Sequence, residues 1–390
     1  MKLFSKICLG VFLVSVISFS AQLTFAQTKA ASRSGLAPAK SAAGKIPKGL
    51  WLLSTTPIAS ADDIQLSGNL LYLAAMNTDP VYDVSDPYRP LNVFNIPHAY
   101  PEPSYGDRHI VNRVVGNRYY ALDSSMFGWN LEVWDINNGN PILLATHGSH
   151  NNQYSYPPRD MDIKNNKIYW LGYSGTDNHP GTVLIILDAT DLNNIQQIGF
   201  RGWGYPNERD DASGIVATDN NALAFVASTG VKTLNVSNPS NITQTAAIET
   251  QRLGNFKDDI QLVGNYVFTS RAAYGIMITS LGAPNFVSII GTPYLTVTDP
   301  SPWPYNDAPD NISFQVVGNY LYAVTSIDRK FKVIDISDKV RPVIVASTVI
   351  PTTGHAQLKI KVDAARGLAF VTADEGKLFV YNLGIYVPQQ

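Results

Sequence analysis

An octapeptide occurs twice in this chain. Asp62-Asp63-Ile64-Gln65-Leu66-Ser67-Gly68-Asn69 returns almost unchanged as Asp258-Asp259-Ile260-Gln261-Leu262-Val263-Gly264-Asn265. Internal repetition restricts a fold more than composition does, because each copy must be the same supersecondary unit and must bury its face against the next. Further copies of the turn follow at Gly116-Asn117, Asn165-Asn166, Asn220-Asn221, Gly318-Asn319 and Arg366-Gly367. Gly and Asn suit a two-residue hairpin that needs positive φ. A short apolar strand follows each turn, as in Leu70 to Ala74 or Tyr320 to Val324.

A second anchor comes 15 to 23 residues after each turn. It reads Asp83-Val84-Ser85-Asp86-Pro87, Asp135-Ile136-Asn137, Asp188-Ala189-Thr190-Asp191, Asn235-Val236-Ser237-Asn238-Pro239 and Asp335-Ile336-Ser337-Asp338, with degenerate copies at Thr279-Ser280 and Asn382-Leu383. An apolar strand precedes each anchor and another follows it. The unit is therefore four strands in roughly 50 residues, the pattern of a β-propeller blade. Seven copies of each anchor predict an all-β, seven-bladed β-propeller of four-stranded antiparallel blades over 48–384. Only eight residues follow Asn382, too few for a fourth strand and its connection. The orphan strand Gly49 to Thr55 is expected to complete the last blade and close the ring. Residues 385–390 form a C-terminal tail.

The strand–turn–strand unit ending in an apolar-Val-Ile-Asp-Val-Ser-Asp-Pro stretch resembles the LVIVD-repeat family of β-propellers. Phe331-Lys332-Val333-Ile334-Asp335-Ile336-Ser337-Asp338 and Pro80-Val81-Tyr82-Asp83-Val84-Ser85-Asp86-Pro87 carry the pattern most closely. The resemblance covers about 49 to 384. It implies the propeller fold and a bacterial, secreted or surface-exposed protein. It brings no shared catalytic residues.

The N-terminus reads as an address. Two lysines precede an apolar run from Ile7 to Ser20, and Thr24 and Ala26 occupy the small-residue positions of a cleavage site. Residues 1–26 are expected to be a secretory signal peptide, because the apolar core is shorter than the ~20 residues of a membrane span. The mature chain then holds no transmembrane segment, and export across an inner membrane leaves it periplasmic, cell-surface or extracellular. Residues 27–47, rich in Ala, Ser, Gly and Lys, are expected to be a flexible linker. The single cysteine, Cys8, lies in the leader, so disulfides, thiolate catalysis and Cys-ligated metals are excluded from the mature chain. Six of the 29 basic residues precede Lys48 and all 31 acidic residues follow it. That acidic balance argues against nucleic acid.

Two constellations are candidates for function. The between-blade loops are long and rich in rings, with an aromatic-x-Tyr motif at Tyr154-Ser155-Tyr156, Trp203-Gly204-Tyr205 and Trp303-Pro304-Tyr305. With Tyr105, Trp129 and Arg271 they predict a face that binds a carbohydrate, peptide or protein partner, since rings with polar tips serve such ligands. The same rings could instead pack over their own loops.

The second constellation is polar. Each predicted inner strand begins with an ionisable residue: Asp62, His109, Asp160, Asp210, Asp258, Asp310 or His355. A carboxylate ring at the channel mouth would favour Ca2+, while the two histidines would favour zinc or copper. Asp at a strand start also caps loop N–H groups. The alternative function is a metal-dependent hydrolase, lyase or oxidoreductase at this ring, with His109 or His355 as base. His147 and His150 lie three apart in a predicted loop and are a weaker metal pair. Gly-x-Ser-x-Gly, His-Glu-x-x-His and phosphate-loop motifs are absent.

Overall fold

The protein is described by a computed structural model. It describes residues 50–99, 108–125, 128–149, 158–174, 181–203, 212–218, 221–226, 230–248, 259–271, 275–280, 286–290, 312–326, 328–353 and 356–387. The chain divides into Met1–Ile46 and Pro47–Gln390. The first unit, with the expected leader and linker, lies outside the described residues.

Pro47–Gln390 is an all-β propeller of four-stranded antiparallel blades. Among the described residues the strands form seven such sheets. Sheets I to VI are each built from four consecutive strands, and we number them in chain order by their first strands. These are Ala61–Ser67, His109–Val115, Pro158–Lys164, Ala212–Ala217, Ile260–Val263 and Ile312–Val317. Sheet VII begins with Leu358–Asp363 and takes its outermost strand, Trp51–Pro57, from the start of the propeller unit. That strand pairs with Lys377–Asn382 from Trp51↔Asn382 to Pro57↔Lys377, so the two ends of the unit are joined by backbone hydrogen bonds. The expected closure is thus observed. It removes a sheet edge that would otherwise template aggregation.

The first strands touch one another in order, and the strand of sheet VII touches that of sheet I. Among the described residues, seven apolar clusters fill the spaces between consecutive sheets. Tyr72, Val81 and Trp134 pack between sheets I and II, and Phe370 and Val380 meet Ile64 and Leu71 between sheets VII and I. The tail is not loose where it is described. Tyr386 is buried, and its carbonyl accepts the Tyr322 hydroxyl at 2.5 Å.

The repeat residues are explained by local chemistry. Gly68, Gly116, Gly264 and Gly318 have φ between 56 and 61°, where any other side chain is strained. Asn165 and Asn166 take the same region at 52 and 57°, as Asn tolerates. In the second anchor, the Asp accepts a bond from the amide two residues on: Asp83 from Ser85, Asp188 from Thr190, Asp335 from Ser337. Bonds from these residues, the amide foremost for Asp83 and Asp335 and the Thr190 hydroxyl foremost for Asp188, hold all three carboxyls below their ordinary pKa. The next amide reaches back to the hairpin turn, Val84 to the Asn69 carbonyl and Ile336 to that of Asn319, each at 2.8 Å. The two anchors are two halves of one hydrogen-bonded corner.

Candidate functional site

The first strands of the sheets carry polar side chains at alternate positions, and those side chains bond to the next sheet. Asp63 accepts from the Asn112 amide, Asp160 from Ile215, Asp259 from Phe314, Gln261 from Val316 and Gln315 from Val362. The other oxygen of Asp63 and of Asp160 accepts from the following residue's own amide. Each such side chain therefore ties one sheet to its neighbour, which accounts for an ionisable or amide residue near these strand starts.

Where these strands converge they enclose a cavity of about 250 Å³. Its charged lining is Asp63, Asp160 and Asp259 against Arg113, Lys359 and Lys361. Arg113 donates to Asp63 at 2.8 Å and to Asp160 at 2.5 Å, spanning three sheets. Burial works against the Arg113 charge, but Asp160 and Asp63 outweigh it and raise its pKa. Lys359 reaches Asp259 at 3.3 Å. That pair overcomes burial at both ends, raising the lysine pKa and lowering the carboxyl pKa. Burial lowers the pKa of Lys361, and Arg113 and Lys359 add to the effect. Of the carboxylate ring expected from the sequence only Asp160 is in this lining, and Asp210, Asp258, Asp310 and His355 lie outside the described residues.

His109 does not line this cavity. It is buried between sheets I and II, with its Nδ1 against Asp79 and its Nε2 3.4 Å from Glu132. Asp79 lies on the third strand of sheet I, Thr78–Asp83, and Glu132 on the third strand of sheet II, Gly128–Asp135. Asp79 Oδ1 accepts from the Ala75 amide at 2.8 Å and lies 3.4 Å from His98 Nε2. Its Oδ2 accepts from the Tyr119 hydroxyl at 2.5 Å. Glu132 accepts from Trp134 Nε1 and from the Ala99 amide, both at 2.9 Å. The rings of His98 and His109 lie 3.7 Å apart. Burial disfavours charge here, yet Asp79 and Glu132 outweigh it and raise His109 to about 10. For Asp79, burial is overcome by the two histidines, which bring it down to about 2.

Other residues expected to function fall as follows. Asp62 pairs with Arg108 at a partly exposed position. Asp160 sits in the cavity wall as described. Trp203 is half-buried against the cluster between sheets III and IV, with Arg201 and Lys232 5.5 and 5.6 Å from its ring. Trp129 and Arg271 lie on strands Gly128–Asp135 and Tyr266–Arg271, their side chains outside the description. His147 lies on the strand Ile142–Ser149, where burial lowers its pKa. Tyr105, Tyr154, Tyr156, Tyr205, Trp303, Tyr305, Asp210, Asp258, Asp310, His355 and His150 lie outside the described residues.

Sequence reasoning missed Asp79, His98, Tyr119 and Glu132, and also Arg113, Lys359 and Lys361. A signal existed for some of them. Glu132 stands between Leu131 and Val133 in an apolar strand, and Lys359-Ile360-Lys361 puts lysines where other copies carry Asp and Gln.

Comparison with known proteins supports the fold. Residues 59–96 and 311–349 match the family described as LVIVD repeat. No curated protein matches the sequence. Among solved structures, the computationally designed Ika8 protein is similar at 12% identity with a TM-score of 0.52. The β-propeller domain of Myceliophteria thermophila Cps50 (Swd1) is similar at 13% identity with a TM-score of 0.53. Each comparison covers 85% of this chain and 99% of the other. At such identity they speak to the fold alone.

Proposed function

From the premise that this chain is a β-propeller carrying LVIVD repeats, we propose that it is an exported, seven-bladed binding module. Each of the seven sheets is one blade of a single ring. The face bearing the between-blade loops takes a carbohydrate, peptide or protein partner through the aromatic-x-Tyr motifs and Trp303 above all. One observation carries this reading. The charge-balanced cavity is walled by the middle stretches of the first strands, from Asp63 to Gln65 in sheet I to Lys359 to Lys361 in sheet VII. A partner seated on the loops would meet carboxylates, cations and amides together, a surface suited to hydrogen-bonded recognition. His109 does not line the cavity, and His355, the other base an enzyme reading would use, lies outside the described residues.

The test is retention of the full chain on glycan and peptide arrays, repeated with Trp303→Ala and Lys361→Ala. Binding to one class of array, reduced at least tenfold by either substitution, is the expected result. No retention on either array, or retention indifferent to both variants, would sink the reading. Export is checked separately, by N-terminal sequencing of the secreted protein, which should begin at Gln27.

A further inference from the structure

We propose that Asp79, His98 and His109 bind one first-row divalent metal ion, zinc foremost, which pins sheet I to sheet II. One donor atom from each of these three side chains lies within 4.8 Å of the others, and all three residues are buried. Donors sharing a zinc at about 2.0–2.2 Å must be gathered that closely. Two imidazoles with one carboxylate suit zinc over calcium, which prefers an all-oxygen shell.

The surroundings supply a second argument. A ligating histidine ordinarily offers its other ring nitrogen to a carboxylate, which fixes tautomer and orientation. His109 is placed to do so: its Nδ1 faces Asp79, and its Nε2, which makes no hydrogen bond here, lies 3.4 Å from Glu132. Glu132 is itself held by Trp134 Nε1 and the Ala99 amide.

Charge supplies the third. The Asp79 and Glu132 side chains are at most 1% exposed. Among the described residues neither meets a lysine or arginine within ion-pair distance, and their basic neighbours are the two histidines. Those two imidazole rings are 3.7 Å apart, and two positive charges so close in a dry interior would repel strongly. A dication balances both carboxylates with both imidazoles neutral, taking the place of the proton on His109. Seating it requires the rings to turn out of their stack until both lone pairs converge. All three donors are buried, so no substrate reaches the ion and its role is structural, its fourth position going to Glu132 or a trapped water.

The test uses the untagged full chain, unfolded in guanidinium with EDTA, then refolded with or without one equivalent of zinc sulfate. About one zinc per chain after gel filtration is expected, with Tm raised by more than about 3 °C. His98→Gln and Asp79→Asn should each lose the ion, while His147→Gln keeps it. Cobalt substituted for zinc should give visible d–d bands that His98→Gln abolishes. Refolding without retained zinc and with an unchanged Tm would overturn the proposal, even if the variants fail to fold. So would zinc retained equally by His98→Gln and Asp79→Asn, which would place it elsewhere.

Discussion

The channel and the seam between sheets I and II hold the same kinds of residue in opposite circumstances. In the channel, Asp63, Asp160 and Asp259 meet Arg113, Lys359 and Lys361 around a cavity that admits solvent. In the seam, the only basic partners of Asp79 and Glu132 among the described residues are histidines, and the four side chains are at most 1% exposed. The open cluster can rearrange its pairs, since water replaces whatever bond is lost. The sealed cluster has no such reserve, because each lost partner leaves a desolvated group behind. Composition alone does not separate a recognition surface from an internal rivet. Burial does.

The largest effect should come from the sealed side. Asp79→Leu leaves the Ala75 amide, the Tyr119 hydroxyl and the His109 ring without their acceptor. Breaking a buried ion pair by removing one partner costs about 3–5 kcal/mol. An unfolding free energy in urea lowered by that amount is expected. A loss below about 1 kcal/mol would erase the distinction between the clusters.

A smaller loss is expected for Asp259→Ala in the channel. It removes the acceptor of Ser313 Oγ and the Phe314 amide, and the partner of Lys359. Partial exposure lets water compensate, so about 1–3 kcal/mol is expected. The pH dependence has a definite sign. The folded-state pKa of Asp259 is lowered from its ordinary 3.8. Its contribution is therefore full above that value and lost as pH falls through the lower folded one. Asp259→Asn should flatten the acid limb of a stability–pH curve below about pH 4. An unchanged acid limb would show that Asp259 is not held ionised by its neighbours.

The same contrast explains what the sequence discloses. The propeller was legible because its signals are local. Gly68 and Asn166 must take positive φ, and Asp83 and Asp335 must cap the amide two residues on, so each copy prints the same letters. The terminal strand closure was legible by subtraction, since Asn382 lies too near the end for a fourth strand. The polar clusters were not legible, because they join residues from 19 to 100 positions apart that only the fold brings together. Asp63 reaches Arg113, and His98 and His109 meet Asp79 only once register and blade order are set. His109 was read from its place at a strand start, which says nothing about which face of the sheet its ring takes. Asp79 fell in a stretch whose neighbours, Pro80 to Asp83, resemble the repeat so closely that one acid drew no notice.

The smallest effect is the sharpest test of the open cluster. Lys361 lines the cavity, burial lowers its pKa, and no carboxylate stands within ion-pair distance among the described residues. Its neighbours are already matched, Arg113 with Asp63 and Asp160, Lys359 with Asp259. Lys361→Met keeps the aliphatic stem against the wall and deletes a desolvated charge. Stability should change by no more than about 0.5 kcal/mol, in either direction. The cavity would then carry three carboxylates against two cations, so affinity for any anionic group of a partner should fall while the fold is untouched. A stability loss beyond about 1.5 kcal/mol would instead make Lys361 a strut like Arg113. The channel would then resemble the seam, a rivet with a hole through it, and the loops alone would be left to recognise a partner.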